Sequence, residues 1–280
     1  MRFPARSRWA MQLGVLLPAL LVAFVVPTSA QQSDDEWLED CLDNDRSNRP
    51  AVYCDVRVER MPAVSGVLRV DAGQNGGVIV RGEDRRDIEV HARIQARSPS
   101  SSRARALADD VRLDLGRNTI TADGADTERD ESWSVTFVVY VPQDSDLELA
   151  AHNGPLSVSD VSGRIEARTH NGPLSLSALS GDVVARTQNG PLNVSLTGRR
   201  WTGGSLDAET HNGPVNLTIP DGYSANLETG TVNGPFNTDI PLTVTQFGRM
   251  RDRRIETRLG NGGPSVRAVT TNGPVNIRTR

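Results

Sequence analysis

Histidines and acidic residues are the side chains that could carry chemistry in this sequence. His152 and His170 each precede an Asn-Gly pair, and His211 holds the same place two pairs later, after Gln188. Two such histidines on neighbouring strands could share a metal ion, but no carboxylate completes the ligand set that zinc requires. We therefore expect these histidines to be solvated turn residues, and we predict no metal site.

Acidic side chains occupy the outward positions of several predicted strands. They are Glu148, Glu166, Asp207, Glu209 and Glu228. Glycoside hydrolysis needs two carboxylates at a defined separation, so a polysaccharide-active lyase or hydrolase is one alternative function. Arg168 and Arg186 lie among these acids, which is typical of a solvated sheet face paired across strands. We predict a non-enzyme without catalytic residues or cofactors.

Composition excludes several other classes of protein. All 31 basic residues are arginine, which removes P-loop lysines, Schiff bases and Ser-Lys dyads. The net charge of −4 gives no global basic signature for nucleic acid. The chain is 37% hydrophobic, which is too apolar for a disordered protein, while 4% aromatic residues are too few for a bulky core.

The first 30 residues have the pattern of a secretory signal peptide. Arginines at positions 2, 6 and 8 precede an uncharged apolar run, and small residues at 28–30 offer a cleavage site. An uncleaved anchor is the alternative, but the run is shorter than the roughly 20 residues that span a bilayer. We expect a periplasmic or secreted, cell-surface protein with no membrane span after cleavage.

Cys41 and Cys54 are the only two thiols of the chain. An oxidising compartment makes a Cys41–Cys54 disulfide the default expectation, and no CxxC pattern supports a redox or metal role. We expect this bond to stabilise an N-terminal segment over residues 31–55.

The strongest pattern is an internal repeat. Asn-Gly recurs along the chain, and six copies are Asn-Gly-Pro, with steps of 18, 18, 23, 21 and 39 residues. These six asparagines are Asn153, Asn171, Asn189, Asn212, Asn233 and Asn272. Between the copies, apolar and polar residues alternate with period two in one constant register, so like residues would stack on like.

This register predicts an all-β fold, a two-sheet parallel β-solenoid with turns of about 18 residues over 146–280. Stacked Asn side chains would form a hydrogen-bonded ladder, and the following Gly would supply a positive φ. A hairpin meander is the alternative, because Asn-Gly also favours tight hairpin turns. Residues 56–145 show longer apolar segments and are expected to begin the same sheets irregularly.

The same cadence resembles the bacterial "putative adhesin" family of unknown function. The matching residues run from Val141-Pro142 through Asp146-Leu147-Glu148-Leu149 to Asn153-Gly154, and continue through Val161-Ser162-Gly163 to Asn171-Gly172. The resemblance covers roughly residues 56–280 and is strongest over 138–280. It implies a β-solenoid-like domain in the cell envelope, without established catalytic residues.

Two insertions break the period and are candidate ligand-binding loops. Their residues are Arg199, Arg200 and Trp201 in the first, and Arg249, Arg251, Arg253 and Arg254 in the second. An aromatic ring with guanidinium donors suits a sugar or an anionic glycan. The alternative is that Trp201 packs over the adjacent strand while the arginines are solvated or ion-paired.

The outer face of the second sheet is the other candidate surface. Its polar positions are Ser157, Ser175, Asn193, Asn216, Asn237 and Asn276. They could bond sugar hydroxyls, or they could simply form a soluble exterior. The last repeat ends at Ile277 with no evident cap, so weak end-on self-association is expected. Together these features predict a non-catalytic envelope protein, structural or adhesin-like, that binds glycan, anionic polymer or protein. A further alternative is an envelope-stress component that acts through a protein partner.

Overall fold

The computed structural model describes residues 32–45, 50–240, 246–247 and 253–280. The predicted signal peptide over residues 1–30 lies outside the described residues, as do Arg249 and Arg251. None of the helices in the described ranges is long and apolar enough to cross a membrane. These ranges contain two short helices and 21 strands, which confirms the all-β prediction.

The elements fall into a leading group and a repeat group. The leading group comprises α1 (Asp34–Asp45), β1 (Ala51–Pro62), β2 (Val67–Asp71), β3 (Val78–Glu83), β4 (Asp87–Ser98), α2 (Ser101–Asp109), β5 (Arg112–Leu115), β6 (Thr119–Asp123) and β7 (Ser132–Pro142). The repeat group comprises β8 (Asp146–Ala151), β9 (Leu156–Ser159), β10 (Ser162–Asn171), β11 (Leu174–Ser177), β12 (Ser180–Asn189), β13 (Leu192–Ser195), β14 (Leu206–Asn212), β15 (Val215–Ile219), β16 (Ala225–Asn233), β17 (Phe236–Thr238), β18 (Gln246–Phe247), β19 (Arg253–Leu259), β20 (Ser265–Asn272) and β21 (Val275–Thr279).

These strands form two mixed sheets. Sheet A has the order β1-β4-β7-β3-β9-β11-β13-β15-β21-β17, and sheet B has the order β18-β19-β16-β20-β14-β12-β10-β8-β2-β6-β5. Each Asn-Gly-Pro repeat gives one strand to sheet B, turns, and gives the next strand to sheet A. Neighbouring repeats pair in parallel and in register, with Asn171 opposite Asn189 and Ser175 opposite Asn193. The hairpin alternative therefore does not describe these repeats.

The core between the sheets combines small residues of sheet B with larger residues of both sheets. Ala185 and Ala208 are fully buried on sheet B, and Leu174 and Leu192 are fully buried on sheet A. These are inward positions of the period-two pattern that the sequence predicts. Because Ala167, Ala185, Ala208 and Ala268 hold equivalent positions in four repeats, the two sheets pack closely with few aromatic residues.

The glycine after each asparagine has a different role from the one predicted. Among the six Asn-Gly-Pro turns only Gly273 has a positive φ, of 151°. At Gly190, a Cβ atom would lie 2.1 Å from the carbonyl oxygen of Gly172 in the neighbouring repeat, and Gly172 stands in the same relation to Gly154. Glycine is required here because the backbones of successive turns approach too closely for a side chain.

The last repeat lies inside the stack rather than at its end. Strand β20 pairs with β14 on one side and β16 on the other, and β21 lies between β15 and β17. The expectation of an uncapped end at Ile277 is therefore wrong, because this residue pairs with Leu217 and Thr238 on either side. The end of the stack is the repeat β16–β17, and β19 pairs antiparallel with β16 in sheet B.

The leading group extends both sheets and adds the two helices. Strands β2 and β3 pair in parallel with β8 and β9, so residues 67–83 form a divergent repeat. Helix α2 buries Leu107 in the core, and Arg57 donates to the carbonyl oxygens of Ala108 and Val111 at the end of that helix. The predicted Cys41–Cys54 disulfide is confirmed and joins α1 to β1.

Candidate functional site

The turn asparagines form one continuous hydrogen-bonded ladder. In each link the Nδ2 atom of one asparagine donates to the Oδ1 atom of the next. The links run, in order, from Asn233 to Asn272, Asn212, Asn189, Asn171, Asn153 and Asn75, at 2.7–3.2 Å. All these bonds run in one direction, so each amide between the two ends of the ladder is held in place by its two neighbours.

Buried threonines fix the turns on which this ladder stands. The Oγ1 atom of Thr210 donates to the carbonyl oxygen of Gly190 at 2.8 Å, and Thr187 donates to Gly172 at 3.0 Å. The proline that follows this glycine also takes part, because its carbonyl oxygen accepts a backbone hydrogen bond from the neighbouring repeat. For example, the backbone N–H of Leu192 donates to the carbonyl oxygen of Pro214 at 2.9 Å. These bonds make each turn a copy of the previous one.

A second ladder crosses the outer face of sheet A. Asn237 donates to Asn276, Asn276 to Asn216, Asn216 to Asn193, and Asn193 to the Oγ atom of Ser175, at 2.9–3.3 Å. Most of these side chains are half-buried by their neighbours, and the column contains no charged residue. The polar face that the sequence predicts on sheet A is thus an ordered array of amides and hydroxyls.

The outer face of sheet B is charged, and its acids are ion-paired. Each of the five acids considered above pairs with an arginine of the described residues. The pairs are Glu148–Arg69, Glu166–Arg168, Asp207–Arg186, Asp207–Arg267, Glu209–Arg267 and Glu228–Arg267. Arg267 bridges Asp207, Glu209 and Glu228. Glu148 and Glu166 lie opposite each other on β8 and β10, and each contacts its own arginine.

Asp207 is the centre of this ion-pair network. Burial by itself would raise its pKa, but hydrogen bonds from Arg186 and Arg267 outweigh that effect and lower the pKa below its ordinary value. The Arg267 contact measures 2.7 Å. Such a carboxylate stays ionised at neutral pH and is unsuited to act as a general acid.

Two of the three turn histidines line an open depression on sheet B, and the third stacks against one of them. The rings of His152 and His170 are parallel, at 1°, with centroids 4.9 Å apart. His170 and His211 border an open depression of about 600 Å³, which Arg168 and Glu209 also line. Within the described residues, no group of three or more His, Cys, Asp or Glu side chains could hold a metal ion.

The two candidate loops are placed apart. Trp201 is only 3% exposed and its Nε1 atom donates to the carbonyl oxygen of Gly181 at 3.0 Å, so its ring belongs to the core. Arg199 and Arg200 are exposed, and the Arg199 carbonyl accepts from Ser224 at 2.8 Å. Trp201 therefore packs against the adjacent strand β12, as in the alternative interpretation, and does not project from the loop.

The described residues of the second loop lie away from the first loop. Ser224 marks the position of the first loop, because it bonds to Arg199. Arg254 lies opposite Gly230 on β16, six residues farther along, which is a separation of roughly 20 Å. Its guanidinium lies 3.8 Å from Glu228, and Arg253 is placed by its backbone opposite Thr231. Within the part of the chain that is described, the predicted arginines do not form one site.

Sequence reasoning missed a charged cluster that holds α1 against sheet A. His91 contacts Asp34 through one ring nitrogen and Glu89 through the other, the latter at 2.8 Å. Arg93 donates to Asp34 at 2.7 Å. Hydrogen bonds from His91 and then Arg85 lower the pKa of Glu89 to about 2. No local motif signals this cluster, because Asp34 and His91 are 57 residues apart.

Comparisons with known proteins give weak structural likenesses. No family model and no curated protein matches the chain. A crystal structure described as a putative cell adhesion protein from Clostridium sporogenes has 8% identity and a TM-score of 0.43, covering 81% of this chain and all of that one.

A putative adhesin from Bacteroides fragilis has 12% identity and a TM-score of 0.33, with 81% and 97% covered. A putative lipid binding protein from Parabacteroides distasonis has 7% identity and a TM-score of 0.25, with 80% and 96% covered. At these scores the likenesses carry no argument about fold or function.

Proposed function

We propose that this chain is a non-catalytic protein of the bacterial cell envelope that binds an envelope polymer or protein on the surface of its repeats. In this proposal the Asn-Gly-Pro repeats form a parallel two-sheet β-solenoid, which serves as a rigid support. The parallel, in-register pairing of neighbouring repeats supports that description. A rigid support lowers the entropy cost of binding, because its side chains are already ordered.

One observation carries the non-catalytic part of the proposal. Every acid considered as a catalytic candidate is held by arginine, and the central one, Asp207, contacts two. A hydrolase instead keeps one carboxyl group protonated and a second one free to act as base or nucleophile. Ion pairing favours the ionised form of a carboxyl group and so works against the first of these roles.

Export is supported by two independent features. The sequence pattern of residues 1–30 is typical of a signal peptide. The Cys41–Cys54 disulfide is typical of proteins outside the cytoplasm. We therefore place the protein in the periplasm or at the cell surface.

The exposed Arg199 and Arg200 favour a second class of ligand, an anionic envelope polymer. Their guanidinium groups could pair with phosphate or carboxylate groups. An Arg199→Ala, Arg200→Ala double variant tests this idea. Binding to anionic polymer that weakens in the variant and in high salt would support it, and unchanged binding would remove it.

The proposed function is tested by retention of residues 31–280 on peptidoglycan, lipopolysaccharide and exopolysaccharide fractions, with mass spectrometry of the eluted polymer. We expect retention with the polymer intact. Shortened glycan chains would instead support the polysaccharide-active enzyme. Absence of both retention and cleavage would overturn polymer binding and favour the alternative of a protein partner in envelope stress.

A further inference from the structure

A strip along one corner of the repeat stack combines three columns of side chains. We call it the Asn-Pro strip, and it consists of the turn asparagines, the prolines two residues later and the polar residues two residues after those. The prolines are Pro155, Pro173, Pro191, Pro214, Pro235 and Pro274, and the polar residues are Ser157, Ser175, Asn193, Asn216, Asn237 and Asn276. No charged residue interrupts these columns in six repeats.

The amides of the strip retain unused hydrogen-bonding capacity. A carboxamide has two N–H donors and an oxygen with two lone pairs. In the ladders, Asn189 uses one N–H toward Asn171 and accepts one bond from Asn212, and Asn216 stands in the same relation to Asn193 and Asn276. Each such amide keeps one donor and one acceptor site for a ligand. A hydroxyl group can pair with both, because it is itself a donor and an acceptor.

Proline supplies an apolar surface between the two ladders. The rings lie at the start of the sheet A strands, where alternation with the buried Leu192 and Val215 turns them outward. Pro191 and Pro214 are half-buried, and Pro173 is exposed. The C–H faces of sugar rings pack well on rigid apolar surfaces of this kind, while their hydroxyl groups reach the flanking amides.

We infer that the Asn-Pro strip binds a neutral, hydroxyl-rich glycan chain that lies lengthwise along the stack. This inference rests on the proposed function and names its ligand class. The strip repeats at about 4.8 Å, so a polymer with its own regular repeat meets the same contacts several times. An anionic chain would gain nothing here, because the columns carry no cations. The amides are held in place before the ligand arrives, which limits the entropy cost of binding.

The test uses residues 31–280 and a panel of neutral hexasaccharides, namely cellohexaose, chitohexaose, xylohexaose and mannohexaose, in calorimetric titrations. We expect at least one hexasaccharide to bind, and to bind more tightly than its own trisaccharide. The Asn193→Ala, Asn216→Ala double variant should lose about tenfold or more in affinity, since it removes two adjacent amides from the centre of the strip.

The matched control is the Glu148→Ala, Arg168→Ala double variant, which changes two exposed side chains on the outer face of sheet B. Its affinity should stay within about twofold of the parent. Urea unfolding of both variants verifies that they are folded. Binding to no hexasaccharide, equal affinity for hexasaccharide and trisaccharide, or equal loss in the two variants would each overturn the inference.

The outcome is separable from that of the proposed function. If envelope fractions retain the parent and the Asn193→Ala, Asn216→Ala variant equally, the protein binds polymer at another surface and only the Asn-Pro strip is wrong. If no fraction retains the parent and no hexasaccharide binds, both the Asn-Pro strip and polymer binding are wrong, and a protein partner is favoured. Loss of retention in the variant alone would support both.

Discussion

The two outer faces of the repeat stack differ in chemistry although the same repeats build both. Sheet B carries arginines and acids that neutralise one another, with Asp207 held between Arg186 and Arg267. Sheet A carries the uncharged ladder that includes Asn193 and Asn216. The ion pairs of sheet B use up its charged groups and stabilise the fold. The amides of sheet A keep unused donors and acceptors, which remain available to a ligand. With the glycan binding that we propose for the Asn-Pro strip, one repeat would divide stability and binding between its two strands.

The largest expected effect comes from breaking the turn that joins the faces. Gly190→Ala would bring a Cβ atom within 2.1 Å of the Gly172 carbonyl oxygen, so the free energy of unfolding should fall by about 3 kcal/mol. Urea denaturation measures this loss. Gly198→Ala is the control, because its Cβ would meet nothing within 4 Å and would cost only the strain of its positive φ, about 1–2 kcal/mol. Equal losses in the two variants would contradict the close-approach explanation.

A smaller loss should follow from releasing one turn from its buried threonine. Thr210→Val keeps the shape but removes the bond to the Gly190 carbonyl oxygen, at an expected cost of about 1–2 kcal/mol. Thr218→Val, half-buried on the outer face of sheet A in the same repeat, should change stability by no more than about 0.5 kcal/mol. Thermal and urea unfolding of the pair give the comparison, and a larger loss in the second variant would refute it.

The charged face should show its own salt and pH dependence. Asp207→Asn removes two ion pairs at a partly exposed site, so we expect a loss of about 1 kcal/mol at low salt that shrinks in high salt. The pKa of Asp207 is lowered in the folded protein, so its stabilisation is present above the unfolded value near 3.8 and is lost as pH falls through the folded value.

Urea unfolding of parent and Asp207→Asn between pH 7 and pH 2 measures this dependence. The two stabilities should differ at neutral pH and converge as pH falls below 3.8 and through the lowered pKa of folded Asp207. A gap that stays constant across that range would show that the carboxylate charge is not the cause. The ladder of sheet A contains no titrating group. The difference in free energy of unfolding between the parent and a variant of this ladder should therefore stay constant with pH.

The smallest effect on stability is expected in the uncharged ladder. Asn216→Ser breaks links to Asn193 and Asn276 on a partly exposed face, and it should change the free energy of unfolding by no more than about 0.5 kcal/mol. Urea denaturation beside Asp207→Asn makes the comparison direct. A loss above 1 kcal/mol would mean that this ladder stabilises the fold, and the distinction between the two faces would disappear.

The register of the repeats could be predicted from sequence because it depends on local alternation. Thr187 and Ala185 are buried on one strand and Leu192 on the next, as the period-two pattern requires. The ladder through Asn171 and Asn189 follows from the same register. Each repeat meets a near copy of itself, so one repeat contains most of the information about its neighbours.

The order of the repeats could not be predicted in the same way. Spacing along the chain suggested that the repeat of Asn272 is last, but it lies between those of Asn212 and Asn233. In the structure β19 pairs antiparallel with one edge of β16, and β20 pairs with the other edge. The sequence does not indicate which edge each strand takes, because the repeat strands resemble one another. The burial of Trp201 was open for a related reason, since a loop aromatic can face either way until its neighbours are placed.

The position of residues 265–279 also dictates the order in which this end of the protein can form. The strands β14 and β16 are successive sheet B strands in the chain, yet the structure holds them about 10 Å apart with β20 between them. During synthesis or translocation, a chain that stops before residue 265 has two facing strand edges and nothing to join them. Such edges bind other strands readily. Residues 265–279 then complete both sheets at once, because β20 fills the gap in sheet B and β21 lies between β15 and β17 in sheet A.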